Sequence, residues 1–149
     1  MLAEIRFYQL KTTTLERALP QILEKILARG ERAVVVAGSS ERVGALNAAL
    51  WTYDDRSFLP HGSARDGFAE DQPIWLTTLE ENPNQAKVLV LTDGAVAETI
   101  DRWPMVLEIF DGNDEATIAA ARARWKGFRE AGHALAYWRQ DERGKWEQN

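Results

Sequence analysis

Residues 33–37 (AVVVA) constrain this chain more than any other stretch. They form a short, uninterrupted, mostly β-branched run with Glu31 and Arg32 before it and Gly38 after it, as expected of a central parallel strand covered on both faces. An exposed edge strand would alternate, and this run does not. Gly38-Ser39-Ser40-Glu41 then supplies turn and capping chemistry, and Val43, Leu46 and Leu50 recur at i, i+3 and i+7, the spacing of a helix's apolar face. Strand, turn and helix together make the first part of a βαβ unit, whose second strand must lie parallel to the first.

The rest of the chain fits a sheet built around that unit. Residues 5–10 (IRFYQL) read as a first strand, with Phe7 facing one layer and Tyr8 the other. After a turn at residues 11–14, Thr13-x-x-Glu16 spells a capping box, and Leu15, Leu19, Ile22 and Ile26 form an apolar stripe ending near Gly30. Pro20 lies too deep for a first-turn proline under that cap, so it either kinks the helix or marks the start of its second part. Residues 54–72 are rich in Gly, Asp and Pro without a sustained period and read as a long loop with aromatic anchors. Residues 73–78 and 87–92 read as strands of the same sheet, joined by a polar connection over 80–86. Asp93-Gly94 ends the second of them, residues 95–102 are expected as a short helix, and residues 105–110 (MVLEIF) as the next strand. Residues 111–114 turn and cap a last long helix over about 115–131, which stops at Gly132 and carries Ile118, Ala121, Trp125 and Phe128 on its apolar side. Residues 134–138 are expected as a final strand at a sheet edge, followed by a turn at 141–144 within a polar tail, about 140–149, that carries Trp146. The expected fold is α/β: a single domain over residues 1–149 with a Rossmann-like, mostly parallel (mixed) sheet and helices on both faces.

Composition excludes several function classes. A formal net charge of −5 argues against a protein whose main work is wrapping nucleic acid, which needs a net basic face, though it leaves room for a local basic patch. With no cysteine there is neither a disulfide framework nor a thiolate nucleophile or ligand. No signal-like segment or membrane-length apolar run is present, so a soluble, cytoplasmic protein is expected. Six tryptophans exceed what one small core requires and favour a binding module.

Catalytic and cofactor chemistry find little support. GSSERVG lacks the glycines of G-x-G-x-x-G and the lysine of a P-loop, and Glu41 in the helix's first turn would repel a phosphate. Asp93 and Asp111 fall at the carboxyl ends of strands, where α/β sheets place active sites, but each precedes a glycine as a simple turn requires. A nucleotide-binding protein or enzyme using the crevice near Gly38, Asp93 and Asp111 is therefore the alternative reading. Ser39 and Ser40 look like caps, because G-x-S-x-G is absent. His61 and His133 have no ligand-spaced companions, so neither metal nor cofactor is expected.

The last helix gives the clearest physical signal. Arg122, Lys126 and Arg129 recur at i, i+4 and i+7 with Arg124 nearby, a basic stripe beside Trp125 and Phe128 on an acidic chain. Such a stripe can hold an acidic peptide, arginine gripping carboxylates while an apolar pocket takes a terminal side chain. By charge alone, a solvated helix face with cations near its carboxyl end reads the same way.

The string GERAVVVAGSSERVGALNAALW followed by SFLPH resembles the chi subunit of the bacterial DNA polymerase III clamp-loader complex. Phe7-Tyr8, residues 88–91 and residues 122–132 (RARWKGFREAG) agree in the same order, so the resemblance covers most of the chain. It implies a non-catalytic adaptor that links the clamp loader to DNA coated by single-stranded DNA-binding protein. By resemblance, Trp51, Phe58, Pro60 and His61 form the surface that holds the small psi subunit. Burial of Trp51 and Phe58 against the body is the competing reading of those two rings. Arg122, Trp125 and Lys126 match the family's basic and aromatic contacts to the acidic carboxyl-terminal tail of single-stranded DNA-binding protein. Ile118 sits where better-known members carry a lysine, which leaves Arg124 or Arg129 to compensate. A third reading, bases of a single strand stacked on Trp51 and Trp125, predicts affinity for naked oligonucleotide, whereas the adaptor needs no strong direct nucleic-acid binding.

Overall fold

The computed structural model describes residues 2–54 and 59–149, so Phe58, one of the expected docking residues, lies outside the described residues. The elements run β1 (Glu4–Leu10), α1 (Leu15–Ala28), β2 (Ala33–Val36), α2 (Ser40–Thr52), β3 (Gly62–Ser63), β4 (Ile74–Thr77), β5 (Val88–Leu91), β6 (Met105–Asp111), α3 (Glu115–Glu130), β7 (Ala134–Gln140) and β8 (Trp146–Gln148). They build one eight-stranded sheet in the order β3-β4-β2-β5-β6-β1-β7-β8. Its strand pairs are parallel except β7 with β8, so the expected mixed, mostly parallel sheet is observed.

Alternation along each strand divides the core into two layers. Val35, Leu76, Val90, Leu107 and Ile109 pack with the apolar stripe of α1 and with Leu46 and Leu50 of α2. Phe7, Val34, Val36, Leu89, Val106 and Phe110 pack on the opposite face with Ala121, Ile118, Trp125 and Phe128 of α3. β2 is buried at every position because consecutive side chains enter different layers and both are covered. The neighbours β1 and β6 lead into α1 and α3, which lie on opposite faces, so a crevice opens between the carboxyl ends of these strands.

Long-range partners correct several sequence expectations. The N-cap of α1 is Thr14, without a side-chain cap, rather than Thr13. The Thr13 hydroxyl instead accepts from Gln140 Nε2 at 2.8 Å, and the Glu16 carboxylate turns to Arg42. The helix then runs unbroken through the buried Pro20, so this proline does not mark a second start. Residues 95–102 form no α-helix, only a 3-10 turn at Ile100–Arg102. The Glu80 carboxylate takes the backbone N–H of Glu98 at 2.7 Å, the N–H and hydroxyl of Thr99, and the Trp103 indole, which holds the segment against the core. Within the loop read over 54–72, Gly62–Ser63 pairs with β4 as an edge strand.

The expected final edge strand is interior instead, because the supposed polar tail returns as β8 and pairs antiparallel with β7. Asp141 Oδ1 closes that hairpin by accepting from the N–H groups of Arg143 at 2.8 Å and Lys145 at 2.9 Å. Trp146 then packs edge-on to Tyr8, with centroids 5.2 Å apart.

Candidate functional site

α3 begins at a side-chain cap, Asp114 Oδ2 accepting from the Thr117 N–H at 3.2 Å, and ends before Gly132, whose φ of +89° suits glycine. Its inner face is fixed by an aromatic layer. Phe7 lies 5.3 Å from Trp125 and 6.2 Å from Phe128, both edge-on, and Tyr137 of β7 lies 5.5 Å from Trp125. Trp125 is therefore held from below and from the side, and the residue stays half-buried.

Arg122, Lys126 and Arg129 stand exposed on one side of that helix, as their spacing requires. Among the described residues none of these three makes an ion pair. Half-buried Ile118 and Trp125 form an apolar shelf between the cations and the sheet. Burial raises the Tyr137 phenol above its ordinary range, opposed by the nearby charges of Arg139 and Arg122. Tyr137 and Arg139, which sequence reasoning had not singled out, thus border this part of α3. The signal was their i, i+2 spacing, which puts both on the same face of β7, though not which face.

Arg124 does not join the stripe. Two residues beyond Arg122, it turns toward the sheet, where its Nε donates to Glu108 Oε1 at 2.7 Å. The side chains are 20% and 4% exposed, so this is a largely buried pair. Burial pushes the Glu108 carboxyl above its ordinary range and Arg124 opposes that shift, while Oε2 has no hydrogen-bond partner among the described residues.

The second candidate surface lies at the opposite edge of the sheet. Trp51, in the last turn of α2, is 56% exposed and rests against the His61 ring, with centroids 4.9 Å apart. His61 is buried and its Nδ1 is 2.6 Å from the Leu59 carbonyl, an acceptor, so that nitrogen carries the proton. Leu59 is buried and Pro60 half-buried. The Trp51 ring is thus supported from beneath and presented outward rather than submerged.

At the strand ends the two aspartates have structural partners. Asp93 Oδ2 accepts from the Gly38 N–H at 3.1 Å and from Arg42 Nε at 3.2 Å, so a carboxylate occupies the turn where a phosphate would sit. Asp111 Oδ1 accepts from the Asn113 N–H at 2.9 Å, the turn chemistry expected of it. Ser39 Oγ caps α2 by accepting from the Arg42 N–H at 3.2 Å. The crevice between β1 and β6 encloses about 870 Å³, and Lys11, Arg42 and Arg124 face Glu16, Asp93 and Asp111 around it. Among the described residues no group of three or more His, Cys, Asp or Glu side chains is placed to hold a metal ion, and no helix is long and apolar enough to cross a membrane.

Residues 2–136 match the family model described as DNA polymerase III chi subunit, HolC. Over 75 residues, 50% of its length, the chain is 36% identical to "Probable DNA polymerase III subunit chi" of Rickettsia prowazekii (strain Madrid E). That match spans 46% of the relative, about half its length.

Proposed function

Because the chain belongs to the DNA polymerase III chi subunit family, we propose that it is a non-catalytic adaptor of the replicative polymerase, linking the clamp loader to single-stranded DNA-binding protein. The observation that carries this reading is the exposed stripe of Arg122, Lys126 and Arg129, without ion-pair partners among the described residues, beside the half-buried Trp125 on a chain of net charge −5. An acidic carboxyl-terminal tail would lay its carboxylates along the stripe, and its terminal aromatic residue on the shelf of Ile118 and Trp125. Arg122 and Lys126 make the primary contacts, Arg129 extends the stripe, and Arg139 supplies charge from β7 where Ile118 offers none. Arg124 acts through the helix it anchors. At the other sheet edge, Trp51 supported by His61, together with Pro60, meets a psi-type subunit and through it the clamp loader. The protein works in the cytoplasm, and no strong direct affinity for nucleic acid is expected of a chain whose net charge is −5.

The test is fluorescence anisotropy with a labelled carboxyl-terminal peptide of the cognate single-stranded DNA-binding protein. Wild type should bind at micromolar concentration, ~8 kcal/mol. Arg122→Ala should weaken it by ~1.5–3 kcal/mol, the range for a hydrogen bond to a charged group. Binding should vanish when the peptide's terminal aromatic is deleted. A folded wild type that does not bind the peptide overturns the adaptor reading.

A further inference from the structure

The opposite face of the sheet carries a groove that neither proposed surface uses. α1 and α2 are the described helices on this face, and α2 packs toward β3 and β4, so beyond α1 the β1-β7-β8 end has no helix over it. There Tyr8 stacks on Trp138 with centroids 6.4 Å apart and planes 10° from parallel, and Trp146 meets Tyr8 edge-on. A cavity of about 180 Å³ lies between this aromatic bank and α1, and a second of about 190 Å³ lies beside it, away from the aromatic rings, where Val88 and Pro104 meet the carboxyl end of α1. Ile26, Arg29 and Met105 border both, so the two cavities adjoin along one groove under α1.

The floor and the rim differ in character. Ile22, Ile26, Met105 and Leu107 make an aliphatic floor, while Arg6, Lys25, Arg29 and Lys87 stand round the rim against Glu4 and Glu31. Arg6 is paired with Glu4, whereas Lys25, Arg29 and Lys87 make no ion pair among the described residues. Lys25 and Arg29, both exposed, are one helical turn apart on α1, so their charges point the same way. An excess of unpaired cations over an apolar floor, on a chain of net charge −5, selects an occupant with carboxylates and apolar anchors. A single-stranded nucleic acid fits less well, because the Tyr8, Trp138 and Trp146 rings are packed on one another and rim carboxylates face the path of a phosphate backbone.

We propose that the groove between α1 and the β1/β6 strands is a second peptide-docking site, which takes an acidic protein segment bearing two apolar side chains. Each cavity receives one of those side chains, and Lys25 and Arg29 hold the carboxylates beside them. The site is independent of α3 and requires no free carboxyl terminus.

Those two properties set the experiment. The probe is a fluorescein-labelled, carboxyl-amidated octapeptide, Glu-Asp-Phe-Asp-Glu-Leu-Asp-Glu, titrated with the full chain and followed by anisotropy. Saturable binding to wild type, weakened about tenfold or more by the double variant Lys25→Glu, Arg29→Glu and unchanged by Arg122→Ala, is the expected result. Both substituted positions are exposed; two glutamates at the carboxyl end of α1 oppose its dipole and lower the melting temperature somewhat, so a cooperative melt well above the assay temperature verifies that the double variant folds. Absence of binding, equal binding by the double variant, or loss on Arg122→Ala instead would each overturn the assignment. So would undiminished binding of a peptide with Ser in place of Phe and Leu, which would reduce the groove to a charge patch. Oligothymidylate binding with the same dependence on Lys25 and Arg29 would assign the groove to nucleic acid and refute the peptide reading. Because Arg122 is the control here, failure of this site leaves the tail site on α3 untouched, and the converse holds.

Discussion

Replacing Arg124 by methionine would remove the cation beneath α3 while keeping an unbranched side chain of similar reach. Glu108 would then be a carboxylate with 4% of its side chain exposed and no partner on either oxygen, since Oε2 already lacks one. Breaking a buried pair in this way costs about 3–5 kcal/mol, and the partial exposure of Arg124 points to the lower end, about 3 kcal/mol. For a chain of this size each kcal/mol moves the melting temperature by roughly 2–4 °C, so a fall of about 6–12 °C is expected at neutral pH. The pH dependence has a definite sign. Burial already raises the folded-state pKa of Glu108, and without Arg124 to oppose it the value rises further. A carboxyl with a raised folded pKa contributes stability that is present below its unfolded pKa and lost as pH rises through the folded pKa. Thermal melts followed by circular dichroism between about pH 5 and 8 should therefore show the variant recovering toward the acid end. Wild type should recover less. Converting both residues to leucine should be neutral or stabilising, because burying two charges was never the cheapest packing. A variant that melts like wild type at neutral pH, or whose deficit is flat across this range, would refute the assignment of a buried charge pair. The same protein, while folded, should still bind the acidic tail peptide.

Three further outcomes follow from the side-chain contacts. Glu80 is pushed up by burial, but bonds from Thr99, Glu98 and Trp103 outweigh this and hold it below its ordinary range, so the stability it supplies is present above its unfolded pKa and lost as pH falls through the folded value. Hydrogen-exchange protection factors at residues 95–103 should fall as the pH drops through the folded value, and Glu80→Gln should already lower them at neutral pH. Gln140→Ala strips the acceptor from the N–H groups of Lys11, Thr12 and Thr13 and should destabilise by ~1–3 kcal/mol in urea titration, with Gln140→Glu retaining most of the stability. Trp51→Ala should change the melting temperature by only a few degrees, as befits a ring 56% exposed, while abolishing pull-down of a psi-type subunit.

Local pattern carried the sheet's interior and the spacing of the α3 cations, and both were legible in the sequence. β2 and β5 are uniform apolar runs, and a strand buried on both faces leaves no other pattern. Arg122, Lys126 and Arg129 share a side by helical geometry alone. What escaped depends on partners far along the chain. β8 forms because β7 offers a free edge. Thr13 fails as a cap because Gln140, 127 residues on, takes its hydroxyl. Residues 95–102 forgo a helix because the Glu80 carboxylate takes N–H groups there. Arg124 was grouped with the surface cations because its partner, Glu108, sits within an apolar strand that gives no hint of a buried charge needing an answer.

The placement of β1 between β6 and β7 bears on how the protein is made. β2, β4 and β5 pair only with one another, β3 and β6, so a nascent chain that has reached residue 91 already holds the strands of a small parallel sheet. β1 is synthesised before all of them yet hydrogen-bonds only to strands that begin at Met105 and Ala134. At ribosomal speed it waits roughly 5–20 s with the apolar Ile5, Phe7 and Leu10 unpaired. Late closure of this kind makes the last third of the chain the step that completes folding, and it is during that interval that the nascent protein most needs shielding from aggregation.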